Sequence, residues 1–477
     1  MKQMFPRCHV TRLATGVSGL AIWLAVSMTA MSGTAAVEAQ GAGVQAAAAP
    51  TFHKDVLPIL QKNCQSCHRP GQIGPMALLT YEGVRPWARS IKAKVVAREM
   101  PPWFADPHYN QFANDRRLSD RDLATIVSWV DAGAVAGDVK DAPPPVQWPA
   151  DGWEIQPDVV VDATEYTVPA SGIVEWINLT VPSGFTKDTW VTSVEVRPGA
   201  RSVVHHVCAS FKPHVEGVKY YVQQWQDKPR DDEGSELART TPAAPRAAGV
   251  RTDDQGGRLH CYVPGVAAVD YRPFNAATLI PANADLSFSI HYNPNGKETV
   301  DLTKVGFTVA KEPPQRQFIS LSLNPSRDRE NFAIPPMEPN WKAPTASAVF
   351  SADVELVSLL YHMHDRGRDA TTRLHYPDGR SETVLSVPKY DFNWQMTYDF
   401  AKPTRIPKGT KITFEAHYNN TVRGGYLNPN KWVYWGDQTW EEMMGNWLGL
   451  VIDRKVDPNE VLKPLEKSIV LGGGTEG

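Results

Sequence analysis

The spacing of apolar positions changes once along the chain, and the change divides it. Over residues 51–138 apolar side chains recur every three to four positions. His53 to Lys62 fits one helix, and Tyr81 to Glu99 fits a second, with Trp87, Ile91 and Val95 at i, i+4 and i+8. A third is expected after Ser119, an N-cap with Asp122 three residues on. Leu123, Ile126, Val127 and Val130 would form its apolar face, and Gly133 stands where a C-terminal stop belongs. Residues 141–149 include Pro143-Pro144-Pro145 and make a stiff linker. Beyond it the period falls to two. Runs such as 159–161, 173–181 and 191–196, punctuated by Pro and Gly, predict antiparallel strands in sandwiches or jelly rolls.

A near-repeat subdivides the β region. Ile280-Pro281, four residues, then LSFSIHYN matches Ile406-Pro407, four residues, then ITFEAHYN, at a constant offset of 126. That is a domain length rather than a solenoid period. The expected architecture is multidomain: a small all-α domain followed by two all-β jelly-roll or sandwich domains. Residues 1–39 are assigned to a leader, 40–50 to an alanine-rich linker, 51–138 to the helical domain and 139–152 to the proline-rich linker. The β domains take 153–315 and 316–460, with the boundary near Pro313-Pro314, and 461–477 form a tail.

The leader has a positive start, Lys2, Arg7 and Arg12, then no charge from Leu13 to Val37, then the small-residue site Val37-Glu38-Ala39. Gly, Ser and Thr dilute its apolar run, so cleavage is expected over retention as an anchor. The mature protein is then periplasmic, without stable membrane insertion. The 477 residues carry 49 basic and 52 acidic side chains, a net of −3, and removing the leader takes this near −5. No basic stripe appears, which excludes nucleic acid as a partner. Of five cysteines, Cys8 leaves with the leader and two of the remaining four cluster in the helical domain.

That cluster is Cys64-Gln65-Ser66-Cys67-His68. C-x-x-C-H attaches a c-type haem by two thioethers, with the His as iron ligand. The other uses of such a pair are a redox dithiol or half a zinc site. The first normally sits beside a βαβ unit, and the second needs another Cys pair; neither is present. For the sixth ligand, Met100 in Met100-Pro101-Pro102-Trp103 competes with Met76 and His108. The segments CHRPGQIGPMALLTYEGVRPWA, MPPWFADP and LSDRDLATIVSWVDAGA make residues 52–138 resemble the small c-type cytochrome domains attached to many bacterial periplasmic proteins. The resemblance supports Met100, and a Met/His pair suits an electron carrier.

The β region holds nine histidines. His362 and His364 share a strand face at i, i+2 and can chelate one metal. His205 and His206 are adjacent, so joint ligation needs a bulge or unequal use of their ring nitrogens. Leu286, Phe288 and Ile290 are expected inward, which puts Ser287, Ser289 and His291 on the other face. Imidazoles with a thioether suit copper, whereas a carboxylate would suit zinc or iron. His214, His260 and His375 have no partner at useful spacing.

VVHHVCAS, SFSIHYNPNG, YHMHDRG and WGDQTWEEMMGN, in that order, resemble the metal motifs of the type II copper, ascorbate-dependent monooxygenases, which include the peptidylglycine and dopamine hydroxylating enzymes. The resemblance covers residues 155–455. It implies two jelly-roll domains, one copper in each, with a solvent-filled gap between. An electron-storing copper would take His205, His206 and His291, and an oxygen-binding copper His362, His364 and Met443. The pattern Glu441-Glu442-Met443 favours Met443, while Met444 is its neighbour and the repeat nominates His417 as the counterpart of His291. There are departures. Leu360 stands where the peptidylglycine enzymes have a substrate-gripping Arg, and Trp447 replaces a Tyr, so a glycine-ended peptide is not the expected substrate. Cys208 and Cys261 either bridge each other or leave a thiol beside the first copper.

The expected function is a periplasmic monooxygenase acting on a small molecule with O₂. One covalent haem, fed by a periplasmic electron donor, would relay electrons to two coppers. The alternative is an electron-transfer or copper-holding protein without oxygenase chemistry. Trp394, Tyr398, Trp432, Trp435, Trp440 and Trp447 suggest either an aromatic pocket or simply sandwich core.

Overall fold

The change of spacing near residue 141 is a change of secondary structure. A computed structural model describes residues 49–477 apart from 150–151, 175, 223–256, 267, 326–330, 422–426, 437, 466–468 and 473–477. The leader and the linker up to residue 48 lie outside the described residues.

A π-turn at Phe52–Val56 runs into α1 (Leu57–Asn63). The stretch expected as one helix over 81–99 is α2 (Tyr81–Val84), a 3₁₀ turn at Arg85–Trp87, and α3 (Ala88–Val96). The break follows from Pro86, which has no N–H to donate and whose ring crowds the carbonyl four residues back. α4 (Asp120–Asp131) begins as its sequence dictates: Ser119 Oγ accepts from the Asp122 amide at 3.0 Å, and Gly133 follows its end at φ +93°. Phe52, Leu60, Val84 and Trp129 are the centre of the helical core. Among the described residues no helix is long and apolar enough to cross a membrane.

The principal strands of the first β half are β1 (Val159–Asp162), β2 (Ile177–Pro182), β3 (Thr189–Arg197), β4 (Val204–Lys212), β5 (Gly257–Tyr262), β6 (Ala276–Ile280), β7 (Asp285–Tyr292) and β8 (Lys304–Val309). Those of the second are β9 (Arg316–Pro325), β10 (Ala346–Phe350), β11 (Val354–His362), β12 (Gly367–His375), β13 (Ser381–Val387), β14 (Thr397–Ile406), β15 (Lys411–Tyr418) and β16 (Gly445–Asp453). A four-stranded sheet, β2-β7-β4-β5, and a six-stranded sheet containing β13-β12-β15-β10 each cover part of a long sheet, β1-β8-β3-β6-β9-β16-β11-β14. The repeated segments become β7 and β15, and their tyrosines, Tyr292 and Tyr418, are buried in the two separate cores.

The boundary near 315 falls just before β9, but the sheet does not stop there. β6 and β9 pair in parallel through Ala276–Arg316 and Ala277–Gln317, which joins the halves edge to edge. Phe318, Val357 and Val451 of the second half complete the core of the first.

The helical segment also reaches into the β body. Trp103, Ala105 and Phe112 are buried in the core of the second half, where Trp103 and Phe112 meet the Tyr398 ring at 5.1 and 5.7 Å. The Ala113 amide donates to Asp399 O at 2.7 Å, and Ala401 donates to Gln111 O at 2.8 Å, so this strap extends the edge of β14. Against the first half, the turn at Val263–Val266 meets the Cys-x-x-Cys-His loop. Gly265, at φ +83°, comes so close that a Cβ there would lie 3.0 Å from Cys67 Sγ and 2.6 Å from Arg116 Nη1. Arg116 Nη2 donates to Gly265 O at 2.5 Å.

Candidate metal centres

Two adjacent histidines in a regular strand point to opposite faces. The structure resolves this with a bulge: Val204 pairs with Tyr292 and His206 with His291, leaving His205 as the extra residue of β4. All three imidazoles are buried, and their candidate ligand atoms lie within 4.8 Å of one another. Their Nδ1 atoms converge, His205 to His291 at 3.3 Å and His205 to His206 at 3.2 Å. Among the described residues this is the only group of three or more His, Cys, Asp or Glu with metal-like spacing. Burial holds all three rings neutral: His205 is pushed down to about 4, His291 to about 3, and His206 well below the usual value, the neighbouring imidazoles adding to the effect on His206 and His291. Neutral rings keep the lone pairs that a cation needs. The donor chemistry therefore fits a metal.

β4 and β7 explain the shared face. Val207, Ala209 and Phe211 of β4, and Leu286, Phe288 and Ile290 of β7, enter the core. Alternation then puts His206, Cys208 and Ser210 beside Ser287 and Ser289 on the wall of a cleft. Cys208 and Cys261, paired across β4 and β5, are joined as a disulfide. The Trp176 ring stacks on His291 at 5.5 Å and meets His206 edge-on at 4.9 Å.

The opposite wall comes from the second half. Leu360 and His362 lie at the end of β11, with Trp447 opposite Leu360 and Gly445 opposite His362. The rings of His362 and His364 are 5.1 Å apart, near perpendicular. His362 Nδ1 meets Gln395 Oε1 at 2.5 Å and His364 Nδ1 meets Glu441 O at 3.0 Å. A carbonyl oxygen can only accept, so each Nδ1 carries the proton and each lone pair lies on Nε2.

Met443 is drawn beside this pair through Glu442. The Glu442 carboxylate accepts from the His364 amide at 2.8 Å, the Arg366 amide at 2.7 Å and the Met443 amide at 3.3 Å. It is fully buried, and burial pushes its carboxyl up to about 8 against the pull of Arg366 and those amides. Met443 and Met444 are both buried, but only Met444 belongs to the packed core of the second half. His417 lies elsewhere: its Nδ1 meets Asp369 Oδ1 at 2.7 Å, while Tyr418, on the opposite side of β15, donates to Met443 O at 2.7 Å.

The two imidazole groups are neighbours. Phe392 stands 5.2 Å from the His205 ring and 5.8 Å from His364, and Trp176 is 6.5 Å from His362. Where the resemblance implies a solvent-filled gap, these two rings fill part of the separation. The cleft itself is narrow, with a cavity volume of about 30 Å³, and is lined by both His206 and His362.

In the helical part, the motif cysteines follow α1 as reduced thiols. Cys64 is pushed up to about 12 by burial and by Cys67, unlike the low-pKa thiol of a redox dithiol. His68 Nδ1 meets Met76 O at 3.2 Å, the orientation that an iron-ligating ring needs to present Nε2. Met100 follows α3 and is half-buried, its amide donating to Lys94 O at 3.3 Å. His108 is exposed and held by Asp106. His214 meets Asp285 and Tyr220, and His375 meets Ser381 and Thr413.

Of the six aromatics suspected of forming a pocket, Trp447 lines the cleft, Tyr398 is core, Trp394 and Trp435 pack against that core, Trp440 is half-buried with its carbonyl accepting from Arg366 Nη1, and Trp432 is exposed. Trp176, Phe392 and Gln395 were not found by sequence reasoning, being single residues with no periodic signal. Glu442 was in view beside Met443, but its bridging role was not.

Comparison with protein-family models and with curated proteins finds no match. Among solved structures, the chain is similar to that of infectious bursal disease virus Gx strain, at 11% identity over 69% of this chain and 81% of that one, with a TM-score of 0.18. PNGF-II aligns at 11% identity over 61% and 65%, with a TM-score of 0.24. Scores this low define no common fold.

Proposed function

We propose that the protein is an exported copper-dependent monooxygenase that hydroxylates a C–H bond of a small molecule with O₂. Two jelly-roll domains would hold the coppers, and a c-type haem in the helical part would supply electrons from a periplasmic donor. The observation that carries the reading is the convergence of three neutral imidazoles, His205, His206 and His291, near a second pair, His362 and His364, with His206 and His362 facing one cleft. Imidazoles with no carboxylate in the group, and with methionine close to the second pair, favour copper over zinc or iron. The order of the four motifs supports the same family.

Copper in such sites supplies one-electron storage at each and oxygen activation at the methionine-containing one. The chain's own residues do the rest. Gln395 and the Glu441 carbonyl fix the second pair with Nδ1 protonated. Glu442 ties the backbones of His364 and Met443 together, and Met443 would add its thioether to the second pair. Trp176 and Phe392 cover the rings and keep water from them. Cys64 and Cys67 would bind the haem, His68 would ligate its iron through Nε2, and Met100 is the expected sixth ligand.

The test is a metal count on the exported chain, with the visible spectrum. One haem and two coppers per chain are expected, and His291→Ala should lower copper to one while leaving the haem absorption intact. Zinc or iron in the three-imidazole site, or an unchanged copper count in the variant, overturns the reading.

A further inference from the structure

A c-type haem hangs from the two cysteines of its motif, so what lies against those cysteines decides where its electrons can leave. Here the turn at Val263–Val266 lies there, and the approach at Gly265 leaves no room for a side chain beside Cys67 Sγ. Arg116 clamps the turn from the strap, its Nη2 donating to Gly265 O at 2.5 Å and its Nη1 to Pro264 O at 3.4 Å. From the β body, Arg201 Nη1 donates to Gln72 Oε1 at 2.7 Å and ties the haem loop to the segment just ahead of β4. Burial pushes the Tyr262 hydroxyl up to about 12, with Arg201 lowering it and Cys67 raising it, so both groups act on that side chain.

Bonded connections run on from this turn to the three imidazoles. Cys261, in β5 just ahead of the turn, is bridged to Cys208, which stands next but one to His206 in β4. Tyr262 of β5 pairs with Val207, the neighbour of His206. Bonds carry electron tunnelling over distances at which a gap through space attenuates it steeply. The strap offers a different path, from Trp103 across a 5.1 Å ring contact to Tyr398 and so through β14 to β11, which ends at His362. That path crosses a non-bonded contact at its first step, whereas the path through β5 is bonded from Gly265 to His206.

We infer that the turn at Val263–Val266, clamped by Arg116, is the port through which electrons enter the β body, and that β5 delivers them to the ion held by His205, His206 and His291. One electron leaves the ferrous haem and reduces one cupric ion, with no bond made or broken. That the electron starts on haem and ends on copper rests on the proposed function; that the haem loop is docked on this turn does not.

The test uses the full exported chain with haem and copper, oxidised and kept under argon without substrate. A light flash on deazaflavin with a sacrificial amine reduces the haem, and its reoxidation is followed by absorbance. The rate should not depend on protein concentration or on added glycerol, because a docked loop need not diffuse. Arg116→Leu should slow it about tenfold or more at an unchanged metal count, the scale that a small misplacement of two reacting groups costs, and Arg116→Lys, which keeps the charge, should fall between. His291→Ala should remove the fast phase. In the copper-free chain, the amides of Val263 and Val266, which bond each other's carbonyls at 3.1 and 2.8 Å, should exchange faster in Arg116→Leu than in the native protein. Three results overturn the inference: a native rate that falls in proportion to viscosity, a fast phase that survives His291→Ala, or an unchanged rate in Arg116→Leu. Should Arg116→Leu fail to fold, the first two decide. A chain that takes up no copper fails the proposed function, and the docking is then judged by exchange, where no change in Arg116→Leu overturns it.

Discussion

Phe112 tests whether the strap that follows the third helix is part of the β body or merely lies on it. The side chain is 7% exposed and its ring meets Trp103, Tyr398 and Phe400 at centroid distances of 5.8, 5.7 and 5.4 Å. Its backbone forms a β bridge with Phe400. Truncating such a phenylalanine removes the transfer free energy of a full ring, leaves a cavity and deletes three aromatic pairs. Phe112→Ala should therefore cost about 3–5 kcal/mol, and Phe112→Leu, which refills most of the space, about 1 kcal/mol. Two assays apply to the full exported chain. Urea unfolding followed by tryptophan fluorescence should move to a lower midpoint. Amide exchange at Ala113 and Ala401, whose hydrogen bonds stitch the strap to β14, should accelerate by about 100-fold or more, since 1.4 kcal/mol is a factor of ten. A cost below about 1 kcal/mol, or unchanged exchange at both amides, would mean that the strap is not core and would refute the reasoning.

Three further outcomes are expected. Met444→Ala should cost about 2–5 kcal/mol of stability and leave the copper count unchanged, because Met444 is packed core, whereas Met443→Ala should weaken the second copper; dialysis against a copper buffer and thermal unfolding together decide, and the reverse pattern refutes the assignment. Burial pushes the Asp399 carboxyl from 3.8 up to about 6, and a raised acid contributes stability below its unfolded value that is lost as pH rises through the folded one, so Asp399→Asn should gain up to about 3 kcal/mol at pH 7.5 and almost nothing at pH 3.5. Denaturant midpoints displaced equally at both pH values would sink that account. Replacing Cys208 and Cys261 by serine opens a loop with a sequence separation of 53 residues and should cost about 4 kcal/mol in an equilibrium melt; a loss under about 1 kcal/mol would show that the sheet closes the loop without it.

Much of the site was legible because strand alternation is a strict rule. Adjacent histidines cannot share a face, so His205-His206 required a bulge, and the ladder of β4 on β7 contains one. The same rule put His291 with Ser287 and Ser289. It could not choose among Met443, Met444 and His417, because that choice depends on which sulfur lies in the packed core and on the Asp369 partner of His417, both set by distant strands. The strap was opaque for a related reason. Residues 101–114 have neither period, so nothing in the local pattern marks Trp103 and Phe112 as core. Their partners, Tyr398 and Phe400, lie almost 300 positions away. The helix over 81–99 was misjudged locally, since Pro86 was in plain sight and its effect on the preceding turn is predictable.

The parallel pairing of β6 with β9, and the strap on β14, mean that the order of segments along the chain is not the order of pieces in the folded body. The proline-rich residues 142–149 look like the place to cut, yet a cut there separates no cores. Trp103 and Phe112 would stay seated among Tyr398 and Phe400, and Arg116 would stay bonded to the turn at Gly265. The two fragments should remain together as a nicked complex. Expressed apart, the β fragment would bare an apolar hollow and the helical one an unpaired aromatic arm, so each is incomplete without the other. Mixed, they should complement one another as a split protein does, and the helical fragment is best regarded as a missing part of the sandwich rather than as an appended module.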